Sequence, residues 1–238
     1  MTIADFESTM NNNRFDFFDI AAAVTAAVLA GGASSRIGED KALLKLEGRS
    51  LLQWVVDKVA PFADELLVVG RSGGAEAARG LRFVPDVDGD ERSSLRGLHS
   101  ALTHASGNFV LVLSCDTPLL DPRLFPLLLS LRDEADIVLP QVEGRWEPFC
   151  ALYRRTVSAA TGRLLAAGQK RVLTLLEEPL RVRAVRPEDC PFPLDPRSFL
   201  NVNTMDDYRR AQELLASRQE GSGTPTSGDD VRKGAQAE

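Results

Sequence analysis

Two cations follow a pair of glycines in the segment Leu29-Ala30-Gly31-Gly32-Ala33-Ser34-Ser35-Arg36-Ile37-Gly38-Glu39-Asp40-Lys41. Glycines allow main-chain N–H groups to close on an anion. Arg36 adds a planar fork of donors and Lys41 a mobile point charge. That combination suits phosphate. A bare Gly-Gly is more often a surface turn, and the two cations shift the reading toward an anion site. Two better-known phosphate motifs are absent. A Walker loop needs Gly-Lys followed by Ser or Thr, whereas Lys41 stands between Asp40 and Ala42. The GxGxxG spacing of a dinucleotide fingerprint is also missing. A P-loop kinase or GTPase is therefore excluded.

The second chemistry-bearing residue is Asp116, in Val110-Leu111-Val112-Leu113-Ser114-Cys115-Asp116-Thr117-Pro118. An apolar run ends there in an acid, and Pro118 bars an immediate helix. Mg²⁺ is hard, keeps several waters and takes one or two carboxylates plus substrate phosphates. One Asp suffices for it, although a turn or cap role would also account for the residue. Asn201 and Asn203 flank Val202. On a strand both amides would face one side, where they can serve sugar, pterin or phosphate groups or assist a metal shell. Cys115, Cys150 and Cys190 lie far apart, and His99 and His104 are the only histidines. No zinc-site spacing results, and the sparse, odd cysteine count points to a reduced, cytoplasmic protein. Cys115 has no base beside it in sequence and reads as a packing residue.

The elements that must position these groups alternate along the chain. Strands are expected at 24–29, 66–69, 81–85, 109–113, 137–139, 149–153 and 180–185. The continuous apolar runs among them suit burial on both faces. Helices are expected from Ser50 to about Ala60, 95–105, from Asp121-Pro122 to Leu131, 156–167 and 172–177. A last helix is capped by Thr204, with Asp207 as a reciprocal acid. Repeated strand–helix units imply one α/β domain of Rossmann-like, three-layer build: a mostly parallel sheet with helices on both faces. In such sheets ligands bind at the strands' carboxyl ends. The loops after Leu29, Pro85 and Leu113 then share one rim. The folded unit is expected over 23–217. Residues 1–22 read as an extension, and 218–238 as a tail too poor in apolar residues to offset chain entropy.

Composition limits the partners. The 238 residues carry a formal net charge of −6, and no basic stripe runs along any segment. Nucleic acid and anionic membranes, which need clustered Lys and Arg, are therefore not expected partners. Asp5 and Glu7 replace the basic start of a signal peptide, and the Ala-rich run from Ile20 to Ala30 is too short to cross a bilayer.

The pattern LAGGxSxRxGxDK followed by LLxLxGxxLL resembles the opening of the molybdenum cofactor guanylyltransferase family. It is more loosely similar to cytidylyl- and sugar-nucleotide transferases. The resemblance implies that Leu29, Ala30 and Gly31 contact the base, with Gly32 also nucleotide-binding. It implies that Lys41 contacts nucleotide phosphates, with Arg36 at the family's Arg position. Cys-Asp-Thr-Pro is similar to the family's metal-binding segment, which makes Asp116 the Mg²⁺ ligand. Asp86 resembles a nucleotide-contacting Asp, although Pro-Asp-Val-Asp-Gly also reads as a turn, and Asp88 and Asp90 compete for the role. Gly144 to Tyr153, with Pro148, looks like the segment beside the acceptor. Lys170-Arg171 is similar to a basic stretch facing the acceptor phosphate, and equally suits a charged helix connection. Asn201-Val202-Asn203-Thr204 resembles the family's terminal motif.

The resemblance spans roughly 24–216. Ser94-Leu95-Arg96-Gly97-Leu98 departs from the family's Gly-Pro-Leu, and Val69-Gly70-Arg71 from its Asn. The activity implied is transfer of GMP from GTP to molybdopterin, with cofactor-delivery or acceptor molybdoenzymes as further partners. Open alternatives are a CTP or sugar-phosphate enzyme, or a nucleotide-binding module without catalysis.

Overall fold

The computed structural model describes residues 23–30, 41–70, 81–85 and 93–221. Its strands are β1 (Val24–Leu29), β2 (Lys45–Leu46), β3 (Arg49–Ser50), β4 (Glu65–Gly70), β5 (Arg82–Pro85), β6 (Phe109–Ser114), β7 (Ile137–Val142), β8 (Arg145–Trp146), β9 (Cys150–Arg154) and β10 (Val182–Val185). Its α-helices are α1 (Leu51–Val59), α2 (Ser94–His104), α3 (Leu124–Ser130), α4 (Ser158–Ala166) and α5 (Met205–Gly221). Among the described residues the main sheet runs β10-β7-β9-β6-β1-β4-β5, with β8 paired to β7, while β2 and β3 form a separate hairpin. β9 is antiparallel to its neighbours, β6 and β7, and the short β8 to β7, while the other described pairings of the main sheet are parallel, so the expected mostly parallel sheet is what forms.

Strand alternation divides the core into two layers. Ala26, Val28, Leu111 and Leu113 face one side, where Leu52, Val55, Val56 and Val59 of α1 and Leu124, Phe125 and Leu128 of α3 pack. Ala27, Val110 and Val112 face the other, against Leu95, Leu98 and Leu102 of α2 and Ala160 of α4. A period of two on a strand feeding helices on both sides produces this three-layer build. Ser50 caps α1 by accepting the Gln53 N–H at 3.1 Å.

At the amino edge of the sheet, Glu65 gathers donors from three segments. Its carboxylate accepts from Thr25 Oγ1 (2.8 Å), the Ser106 N–H (2.8 Å) and Ser106 Oγ (2.7 Å), and pairs with the Arg82 guanidinium. Burial alone would raise this carboxyl. The donors from Ser106, Thr25 and Arg82 outweigh burial and hold its pKa at about 2. Gly107 belongs to the same corner. A Cβ there would lie 2.5 Å from the Ala23 carbonyl oxygen, so only glycine fits the approach of the two chains.

Several expected boundaries move. The helix expected from Asp121-Pro122 starts at Leu124. Asp121 accepts the Arg123 N–H at 3.0 Å and pairs with its guanidinium, and i→i+3 bonds from Leu124 and Phe125 close turns first. The helix expected over 156–167 opens with a 3₁₀ turn at Arg155–Val157 and becomes α4 at Ser158. Val172–Glu177 is 3₁₀ throughout. The strand expected from Leu180 begins at Val182, because Arg181 turns to bind Asp136 through both main chain and guanidinium. Thr204 and Asp207 cap α5 reciprocally, at 2.8 and 3.1 Å. α5 continues to Gly221, past the expected boundary at 217.

Candidate functional site at the carboxyl rim

The rim begins where β1 and β6 stop. In their parallel register Leu29 lies opposite Ser114. The ladder runs one residue further on each side: the Cys115 N–H donates to the Leu29 carbonyl at 3.0 Å, and the Ala30 N–H to the Val69 carbonyl at 2.7 Å. The Leu29-Ala30 main chain is thus held from both neighbours, immediately beside Asp116. The first turn of α2 also reaches this point, since a Cβ on Gly97 would touch the Leu29 side chain at 3.5 Å.

Asp116 is half-buried. Ser114 Oγ donates to its Oδ1 at 2.6 Å, and Thr117 Oγ1 donates to the Ser114 carbonyl at 2.9 Å. These two bonds fix the direction in which the carboxylate leaves the strand end. The turn beyond it is pinned by Lys58 of α1, whose Nζ donates to the carbonyls of Pro118 and, at 2.9 Å, Leu120. The same ammonium lies 5.8 Å from the centroid of the Trp54 ring. Sequence reasoning missed Lys58, whose partners lie some sixty positions away.

Gly31, Gly32, Arg36 and Asp86 lie outside the described residues, as does the side chain of Lys41. The Lys41 main chain opens a 3₁₀ turn, Lys41–Leu43. Ala42 is fully buried in the main core, and the Leu51 N–H donates to the Leu44 carbonyl. The β2–β3 hairpin follows. Its Leu46, with Leu51, Leu119, Val202, Ala211 and Leu215, forms a satellite core. That cluster joins three chemistry-bearing stretches: the hairpin after Lys41, the turn after Asp116, and the Asn pair.

The Val202 N–H donates to the Asp116 carbonyl at 2.8 Å. Val202 is fully buried while Asn201 and Asn203 are exposed on either side. No strand forms here, yet the two exposed asparagines flank a buried residue, as they would on one. Asn201 Nδ2 donates to the Phe199 carbonyl at 3.3 Å, and the Asn203 N–H to Asp207 at 3.0 Å.

On the other side of β6, the Ser114 N–H donates to the Phe149 carbonyl at 3.1 Å. This sets Pro148 beside the same strand end. The Pro148 carbonyl accepts from the buried Tyr153 hydroxyl at 2.8 Å, and burial pushes that phenol up. Glu147, within the stretch expected beside the acceptor, is half-buried. Burial raises its carboxyl, with Arg145 opposing. A cleft of about 380 Å³ opens between Glu147 and Asn201, lined also by Arg145, Arg197 and Arg210. Lys170 and Arg171 do not line it. They stand at the amino end of α2, where the Leu95 N–H donates to the Lys170 carbonyl at 3.1 Å.

Among the described residues no three His, Cys, Asp or Glu side chains gather as a metal cluster. His99 is bound to Thr161 Oγ1 at 2.7 Å between α2 and α4, and burial lowers its pKa. None of the three cysteines is in a disulfide, and burial pushes the Cys150 and Cys190 thiols up. One carboxylate with a neighbouring hydroxyl fits a hard cation that keeps waters and phosphate oxygens. It does not fit a closed zinc site. No described helix is long and apolar enough to cross a membrane.

Known proteins share this sequence pattern and fold. The model of the MobA-like NTP transferase domain matches residues 26–182. A probable molybdenum cofactor guanylyltransferase of Natranaerobius thermophilus is 31% identical over 198 residues, covering 81% of this chain and 96% of that one. A molybdenum cofactor guanylyltransferase of Desulfosudis oleivorans is 31% identical over 197 residues, with the same shares. The crystal structure of molybdopterin-guanine dinucleotide biosynthesis protein A from Archaeoglobus fulgidus superposes with a TM-score of 0.70 at 30% identity, covering 81% of this chain and 99% of that one. The matched model spans more than half of the chain, and the chain belongs to the MobA-like NTP transferase family.

Proposed function

We propose that this chain transfers GMP from GTP to the terminal phosphate of molybdopterin, releasing pyrophosphate and forming a guanine dinucleotide. The family and the names of its relatives support the reaction class. The observation that carries the assignment of residues is the pair of main-chain bonds around Asp116: Cys115 to Leu29, and Val202 to Asp116. Together they bring the Leu29-Ala30 turn, a carboxylate and an amide pair to one strand end.

In this reading the backbone of Leu29, Ala30 and Gly31 receives the base, and Gly32 and Asp86 add nucleotide contacts. Arg36 and Lys41 neutralise the triphosphate. Asp116 would hold Mg²⁺, which when bound supplies further neutralisation of the phosphate oxygens. Pro148, Asn201 and Asn203 bound the acceptor, and Lys170 and Arg171 meet its phosphate. An acceptor phosphate oxygen bonds to the α-phosphorus while the bond to the β-phosphate breaks. The electron pair leaves with pyrophosphate. A phosphate monoester has its second pKa near 6 and is already anionic at neutral pH, so no general base is needed. Rate then comes from positioning and preset charge. Three sparse cysteines outside any disulfide fit a reducing, cytoplasmic setting.

The test is pyrophosphate release with GTP, CTP, ATP and UTP, each with molybdopterin and Mg²⁺. GTP should turn over by a wide margin. Asp116→Asn should lower kcat by about 10²–10³, as expected for loss of one preorganised electrostatic group. Turnover favouring CTP, or an Asp116→Asn enzyme of near-normal rate, would overturn the reading.

A further inference from the structure

The basic pair at 170–171 is exposed, and exposed cations on a loop seldom keep one direction. Here the main chain around Arg171 is tied from outside. α4 ends at Ala166, and Gly168 just beyond it, with a φ of +77°, is the left-handed residue of the cap. The Gly168 N–H returns to the Leu165 carbonyl and the Gln169 N–H to the Leu164 carbonyl, both at 2.9 Å. This paired closure of a helix end needs the left-handed conformation that glycine adopts freely. The chain then runs straight into Lys170 and Arg171.

Ser94, the first residue of α2, meets it there. Ser94 Oγ donates to the Lys170 carbonyl at 3.2 Å and accepts the Val172 N–H at 3.1 Å. Those two groups belong to the peptide units on either side of Arg171. One hydroxyl therefore spans the Arg171 Cα and holds its φ and ψ, near −93° and 129°. The Leu95 N–H adds a second donor to the Lys170 carbonyl at 3.1 Å, and Thr174 Oγ1 donates to the Arg171 carbonyl at 2.6 Å. The anchor is itself part of the rim, since Gly97 in the same helical turn packs on Leu29.

We infer that Ser94 is a positioning residue: its hydroxyl fixes the main chain of Arg171 and so aims that guanidinium at the acceptor's phosphate. The inference rests on the reading of Arg171 as an acceptor contact. It also gives the departure Ser94-Leu95-Arg96-Gly97 a role on the acceptor side of the reaction, apart from the nucleotide loops.

The experiment is steady-state kinetics of the full chain with Mg-GTP and molybdopterin for Ser94→Ala, Ser94→Thr, Arg171→Ala and the double variant Ser94→Ala/Arg171→Ala. Arg171→Ala and Ser94→Ala should each raise the acceptor KM, the latter on the order of 10-fold, as for loss of a hydrogen-bonded aim. The GTP KM and the melting temperature should stay near the parent values. Ser94→Thr keeps a hydroxyl and should restore the parent KM. The double variant should be no worse than Arg171→Ala, because residues acting through one another are not additive. If Arg171→Ala leaves the acceptor KM unchanged, the acceptor role of Arg171 fails and the inference falls with it. If Arg171→Ala matters but Ser94→Ala does nothing, multiplies with it, or raises the GTP KM equally, only the positioning role is refuted.

Discussion

Replacing Glu65 by Gln isolates the electrostatics of the sheet's amino edge from the chemistry at the opposite rim. The side chain is 19% exposed, and its carboxyl is lowered from 4.5 to about 2. At 1.36 kcal/mol per pKa unit that shift corresponds to about 3 kcal/mol, or about 2–3 kcal/mol after allowing for partial exposure. Its sign is fixed by its direction. A depressed carboxyl contributes fully above its unfolded pKa near 4.5, and the contribution fades as pH falls toward 2. At pH 7, Glu65→Gln should therefore lower the melting temperature by about 4–12 °C, taking roughly 2–4 °C per kcal/mol for a chain of this size. The assay is a series of thermal melts of parent and variant at pH 7, 5, 4, 3 and 2.5. The gap should be full at pH 7 and 5 and should narrow below 4.5. The donors from Thr25, Ser106 and Arg82 lie on the edge away from Asp116, so kcat at 25 °C should not change. A gap that stays constant across the series, or no gap at pH 7, would refute the argument that hydrogen bonds overcome burial at this carboxylate.

Two further perturbations probe how the fold holds the site. Lys58→Met keeps the apolar stem but removes the ammonium shared by the Pro118 and Leu120 carbonyls. It should cost about 1.5–3 kcal/mol, the usual range for a hydrogen bond to a charged group, and raise the KM for Mg-GTP by loosening the turn after Asp116. Urea titration and initial rates would measure both, and an unchanged midpoint would refute the pinning. Gly107→Ala sets a methyl 2.5 Å from the Ala23 carbonyl oxygen. It should destabilise by about 1–3 kcal/mol, as overpacking does, seen in the same titration without a change in GTP KM.

The sheet was legible because its central strands carry unbroken apolar runs. Val110 to Leu113 can only be buried on both faces, and the alternation of Leu111 with Val112 then decides which helix each side chain meets. Asp116 was legible for the same reason, as the first acid after such a run. Boundaries moved where a side chain competed with the helix, as at Asp121 with Arg123, or with the strand, as at Arg181 with Asp136. No local pattern announces those contacts. Lys58 and Ser94 were hidden for a related reason: each bonds to main-chain atoms more than sixty positions distant, and carbonyl and N–H groups carry no signature in a sequence. The Asn pair was identified by its alternation about Val202, which the sequence left without an assigned element. The buried valine answers to the satellite core and not to a strand.

That satellite core also dictates an order of assembly. Val202, Ala211 and Leu215 enter the chain after every strand of the main sheet, yet they cover Leu46, Leu51 and Leu119. During synthesis the sheet can close first, leaving those three leucines facing water until α5 arrives. The asparagines reach the rim with that same helix. A nascent chain paused before it would hold nearly its whole scaffold and still lack the wall of the cleft that Arg210 and Leu214 line.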